Sequence, residues 1–144
     1  MATFNKLGGF VEHLAEKVHN LGSDQLVIAL TNTAPGSEST PPTGATGTNI
    51  LANITEISYT NLSTRNITTS SSAQSGGTYK LVLTDLVLTA SGLVGPFRYV
   101  YIYNDTAASD PLIGYYDYGS SITLQNGETF TVDFDGANGV LQLA

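Results

Sequence analysis

The sequence contains neither cysteine nor tryptophan among its 144 residues. Without cysteine there can be no disulfide framework and no thiolate metal site, and the redox compartment leaves no mark on the chain. Charge is scarce as well. Asp, Glu, Lys and Arg together make up 12%, where an ordinary globular domain carries about twice that share. Basic residues are the scarcest: only Lys6, Lys17, Arg65, Lys80 and Arg98 stand against 12 acids, for a net charge of −7. They are scattered, and a chain without a basic cluster has little with which to displace counterions from a phosphate backbone. Nucleic acid is therefore not an expected partner. Nor is a membrane, because no run of about 18 apolar residues occurs. Met1 to Leu7 also lack the charged start and apolar core of a secretory signal.

The polarity comes instead from Thr, Ser, Asn and Gly. Threonine's branched Cβ suits a pleated surface, so this composition favours strands. Low charge also weakens the electrostatic defence against self-association, and a partner surface or an oligomer is expected. The length is enough for residues 1–144 to bury a core as one domain. Asn-x-Ser/Thr triplets at Asn53, Asn61, Asn66 and Asn104 are what chance provides in a chain this rich in Asn and Thr.

Phe4, Leu7, Val11, Leu14 and Val18 recur at steps of three and four, with Glu12, Glu16 and Lys17 on other faces. This spacing predicts an amphipathic helix within residues 1–22, with Thr3 as N-cap and Gly22 as stop. Gly8 and Gly9 each cost about 1 kcal/mol in a helix interior, so regular helix should begin near Gly9. A β-sandwich is expected over residues 25–144. Its first strand, Gln25 to Thr31, is apolar throughout and should be buried on both faces. A long surface loop, residues 33–49, holds three of the five prolines. Ile50 to Ile57 suits a helical turn or a strand.

From Arg65 the apolar period becomes two. Asn66 to Gln74 is polar and belongs at an edge. Thr78 to Thr89 alternates, with Asp85 marking a bulge or bend. Phe97 to Tyr103 carries aromatics at 97, 99, 101 and 103 on one face and Arg98, Val100 and Ile102 on the other, the pattern of a central strand between two layers. Leu112 to Tyr118 is a further strand, with Tyr115 facing one way and Tyr116 and Tyr118 the other. Gln125-Asn126-Gly127-Glu128 between apolar runs predicts a hairpin joining Ile122–Leu124 to Thr129–Phe134. Val140 to Leu143 closes the chain. The count, roughly eight strands and one N-terminal helix, gives a mainly β fold, a jelly roll or β-sandwich.

Chemistry is thin. His13 and His19 lie six residues apart, off a common helix face, with no serine context nearby, and read as helix-surface residues. Asp133-x-Asp135-Gly136 opens like a calcium loop but lacks the later oxygen ligands and the closing glutamate, so an ordinary Asp-Gly turn is the better reading. Asp105 and Asp110 read as turn caps. Asp117 and Asp133 could face each other as an acid pair, yet no tryptophan supports a sugar site. No catalytic residue, metal or cofactor is expected.

The segments FVEHLAEKVHNLGSDQLVIALTNTAP, ILANITEISYTNLSTR, GTYKLVLTDLVLTASG, GPFRYVYIYND and ITLQNGETFTVDFDGANGVLQLA together resemble a family of small structural proteins of tailed phages. The most specific parts are Val18 to Pro35 and Gly127 to Phe134. The resemblance implies a capsid decoration (cement) protein of jelly-roll type. Such a protein sits as a homotrimer on the outer surface of the virion and binds the major capsid protein. The acidic surface fits a place outside the packaged DNA. Residues expected to make the contacts are Phe4, Leu7 and Phe10 near the helix, Pro41 and Pro42 on the long loop, and Tyr115 and Tyr116. A tail or fibre module that binds a host receptor or glycan is the alternative reading.

Overall fold

The computed structural model describes residues 2–37, 42 and 49–144. Nine strands and one α-helix follow in the order β1 (Phe4–Lys6), α1 (Gly8–Ala15), β2 (Leu26–Thr31), β3 (Thr69–Ser75), β4 (Thr78–Leu83), β5 (Leu86–Thr89), β6 (Val94–Asn104), β7 (Leu112–Leu124), β8 (Thr129–Val132) and β9 (Leu141–Leu143). They form a four-stranded sheet in the order β1-β7-β6-β2, a three-stranded sheet β3-β4-β9, and the pair β5-β8. Every pairing is antiparallel. The fold is mainly β and has the layers of a β-sandwich. One face of the large sheet, with Ile28, Leu30, Val100, Ile102 and Ile113, packs against Leu81 and Leu83 of β4, Leu88 of β5, Val132 of β8 and Leu141 of β9.

The other face of the large sheet is also covered. Val27, Ala29, Tyr99, Tyr101, Tyr103 and Leu112 pack there with Leu7 and Ile54. This double burial explains why β2 reads as an unbroken apolar run: all six of its residues are buried. The outer edge of β2 is closed rather than bare. The Ile28 N–H donates to the Arg65 carbonyl, Ile67 N–H to Leu26, and Ile57 N–H to Leu30. A short 3₁₀ turn, Leu51–Asn53, starts the covering segment, so the ambiguous stretch from Ile50 becomes one helical turn followed by extended chain.

Three expectations need correction. The apolar stripe from Phe4 to Val18 is not one helix. Phe4–Lys6 is a strand on the free edge of β7, and α1 spans only eight residues. Thr3 does not cap it; Leu7 stands at the N-cap with no side-chain hydrogen bond. The end comes at Lys17 rather than Gly22. Lys17 takes φ 68°, its N–H donates to the Leu14 carbonyl, and the Val18 N–H donates to the His13 carbonyl. That is the αL stop of a Schellman motif, made here by a lysine.

The second correction concerns Phe97. The register of β6 on β7 slips between Phe97 and Tyr99, so Phe97 joins the aliphatic side with Val100 and Ile102 instead of the tyrosine side. The third concerns the Asn126-Gly127 turn. The turn exists, with the Glu128 N–H donating to the Gln125 carbonyl. Its flanking strands do not pair with each other, however, because β7 pairs with β6 while β8 pairs with β5. Ala90 captures the turn: its N–H donates to the Glu128 carbonyl and its carbonyl accepts from Gly127. The change of sheet is anchored again at Asp85, whose Oδ1 accepts the Phe134 N–H at 2.8 Å. The bend read at Asp85 therefore holds, and it separates two strands of different sheets.

Candidate functional site

The residues expected to contact a partner do not gather into one outward surface. Leu7, Phe10 and Tyr116 are core residues, at 0%, 1% and 4% exposure. Phe10 packs with Leu21 and Leu26 at the end of the sandwich, so the helix acts first as a cover for that end. Pro42 is buried, and Pro41 lies outside the described residues. Phe4 and Tyr115 are half-buried. The Phe4 ring sits 5.6 Å from Tyr116, and the Tyr115 ring 5.6 Å from Tyr101, on opposite faces of the sheet. Among the described residues of the expected set, these two rings are what remains at the surface. Burial pushes the Tyr101 and Tyr116 phenols well above their ordinary range, as expected of core rings.

Exposed large apolar side chains occur elsewhere: Val11, Val87, Leu93 and Leu143 among the described residues. Val11 on α1 and Leu143 on β9 line one apolar groove together with Leu14, Leu21 and Tyr79. Both come from short elements at a margin of the sandwich, where helix period and strand alternation leave one apolar residue each without cover. The groove encloses about 60 Å³, far below the roughly 300–1,000 Å³ of a small-molecule pocket.

Two of the carboxylates singled out in the sequence, Asp117 and Asp135, are engaged in cross-strand and loop bonds. Asp117 takes a two-pronged pair from Arg98 across β6 and β7, at 2.8 and 2.9 Å, and accepts the Gly119 N–H. The Arg98 guanidinium holds its carboxyl below the usual range, which keeps it an acceptor and unsuited to donate a proton. Asp135 accepts the N–H groups of Ala137 and Asn138, the Asx turn expected of the Asp-Gly pair. The Asn138 side chain adds a third bond, and the Asn138 backbone N–H first, then that side chain, hold the carboxyl low. Among the described residues no three His, Asp or Glu side chains converge as metal ligands. No described helix is long and apolar enough to cross a membrane.

Two polar groupings escaped the sequence reading. In the first, Arg65 stacks 3.7 Å over the Tyr59 ring and lies 3.6 Å from Glu56, while the Tyr59 hydroxyl donates to Glu56 at 2.7 Å. The same hydroxyl accepts the Leu30 N–H, so the network pins the covering segment to β2. Its signal in sequence is only the 56, 59, 65 spacing of three polar-tipped residues after the helical turn. The second grouping is histidine. His13 and His19, read as surface residues, are each 6% exposed, and their rings lie 5.9 Å apart. The Lys17 stop turns the chain back so that His19 returns beneath α1, a fold-back that helical geometry extended past residue 17 cannot foresee. No family model, curated protein or solved structure matches the chain.

Proposed function

We propose that this chain is a structural virion protein that binds the exterior of a tailed-phage capsid and stabilises it, as a decoration or cement protein acting as a homotrimer. The observation that carries the reading is the division of the surface. Two of the four exposed large apolar residues, Val11 and Leu143, meet at the α1–β9 groove, while the carboxylates of Asp117 and Asp135 and the Arg98 guanidinium are held in loop and cross-strand bonds. A surface of this kind offers shape and adhesion. The resemblance of Val18–Pro35 and Gly127–Phe134 to cement proteins points the same way. A net charge of −7 disfavours a place beside packaged DNA. The lack of Trp and of clustered loop aromatics weighs against the glycan-binding alternative.

The mechanism is linkage. A protein that binds only the assembled shell shifts the equilibrium toward that shell by mass action. Each contact can be weak, because three linked subunits raise the effective concentration of the second and third. The test compares particles with and without the protein under heat and low salt. Decorated particles should retain DNA at temperatures where bare ones release it, and purified protein added back should restore resistance. Equal resistance in both, or binding to host cells rather than capsids, would overturn the reading.

A further inference from the structure

The two histidines of the chain lie against each other inside the protein and play no part in the adhesive role above. His13 closes α1, and His19 follows the αL turn at Lys17. The Phe10 ring lies 5.1 Å from His19 on one side, and His13 5.9 Å away on another. On the far side stands Asn104, fully buried at the end of β6.

The protonation state of His19 can be read from Asn104. The amide oxygen of Asn104 accepts the Thr106 N–H at 3.0 Å and the Ala107 N–H at 3.1 Å. Its nitrogen donates to the Asp24 carboxylate at 2.6 Å. A carboxylate only accepts and a backbone N–H only donates, so these three bonds fix which end of the amide is which. The same Asn104 nitrogen lies 3.0 Å from His19 Nδ1. His19 Nδ1 must therefore accept, and cannot carry a proton. Turning the amide over to welcome a proton would sacrifice both backbone bonds and set oxygen against the Asp24 carboxylate.

We propose that this cluster is an acid-sensitive latch. A neutral imidazole at His19, packed between His13, Phe10 and Asn104, holds α1 and the 16–24 turn against the end of the sandwich. Protonation of His19 releases that segment and uncovers Phe10 and Leu21. A proton on His19 Nδ1 sets donor against donor at Asn104 and places a charge on a ring 6% exposed. Asp24 is an anion bonded to the cluster through Asn104, and its Oδ2 is already shared between Asn104 and the Asn20 N–H. Lys17 borders the same cleft, and opposite it stand the neutral Thr106 and Ala107. The cleft beside His13 is lined by Val18, Ile50 and neutral residues of the 107–111 loop. Asp110 belongs to that loop, and Asp105 stands just before it.

The linkage follows. Burial first, then His13, and against them Asp24, lower His19 from 6.5 to about 4. A depressed folded value means the docked state binds fewer protons than the open one. Docking is thus at full strength above 6.5 and weakens as pH falls toward 4. With those two values the open-to-docked ratio rises about twentyfold between pH 7 and pH 5.

Amide hydrogen exchange on the full chain, corrected for intrinsic rate, tests this. Residues 8–24 should open at least tenfold more at pH 5 than at pH 7, while β6 and β7 stay protected. His19→Gln, which keeps an acceptor but cannot take a proton, should lose most of this dependence. A uniform response across the sandwich, or an unchanged response in the variant, would overturn the latch. Should His19→Gln fail to fold, imidazole resonances of the unaltered protein decide. Titration of His19 well below 6.5 supports the proposal, and titration at 6.5 or above overturns it.

Discussion

Strand β6 buries both of its faces, but in different materials. Toward the second layer it presents Val100 and Ile102, with Phe97 at its start; toward the 49–57 segment it presents Tyr99, Tyr101 and Tyr103. The aliphatic side meets other strands and packs by area and shape alone. The tyrosine side meets irregular chain, which leaves backbone groups to satisfy, and the phenol supplies a polar tip at the end of a large apolar ring. The Tyr101 hydroxyl, for example, donates to the Thr33 carbonyl at 3.1 Å. Within β6, aliphatics at 100 and 102 thus face the sheet and tyrosines at 99, 101 and 103 face the loop.

Substitutions on the two faces of β6 and its neighbours put this contrast to the test. Ile102→Ala should cost the most, about 2–5 kcal/mol, because rigid strands on both sides cannot collapse into the hole; urea midpoints measure it. Gly114→Ala on β7 should come next, at about 1–3 kcal/mol. A Cβ there would stand 2.3 Å from the Phe4 ring and 2.6 Å from the Asn5 carbonyl, so the loss should appear as exchange of β1 amides while β6 stays protected. Tyr101→Phe keeps the ring and removes only the bond to Thr33, for about 1 kcal/mol. A cost as large as that of Ile102→Ala would mean the loop-covered face depends on hydroxyls far more than on area.

The smallest effect is expected from Arg98→Gln, at the point where β6 exchanges its faces. The pair with Asp117 is well exposed, and its removal should shift the midpoint less than Tyr101→Phe does. Its contribution has a sign. Arg98 lowers the folded Asp117 value, so whatever the pair adds is present at neutral pH and fades as pH falls through the carboxylate range. Midpoints of the variant and the parent chain should therefore converge in acid.

The same contrast marks what could be read from the sequence. Strands whose burial is set by their own residues were legible: the apolar β2, the polar edge β3, the bend at Asp85 and the doubly buried β6. Features set by distant partners were not. The Asn-Gly turn has the local form of a hairpin, yet Ala90, distant in sequence, draws its second strand to β5. Phe4 and Leu7 fit a helical stripe equally well as a strand start, and only the free edge of β7 decides. The expected contact set suffered most, because Leu7, Phe10 and Tyr116 are apolar for the sake of the core. The histidine cluster was illegible for the same reason: residues 19 and 104 meet only once β6 and the αL turn are in place.

The proposed capsid role is decided by where the chain sits in purified virions, with copy number from quantitative mass spectrometry and position from electron cryomicroscopy. Many copies distributed over the outer shell in groups of three are expected. A single ring at the head–tail junction, or a few copies at the tail tip, would overturn the proposal.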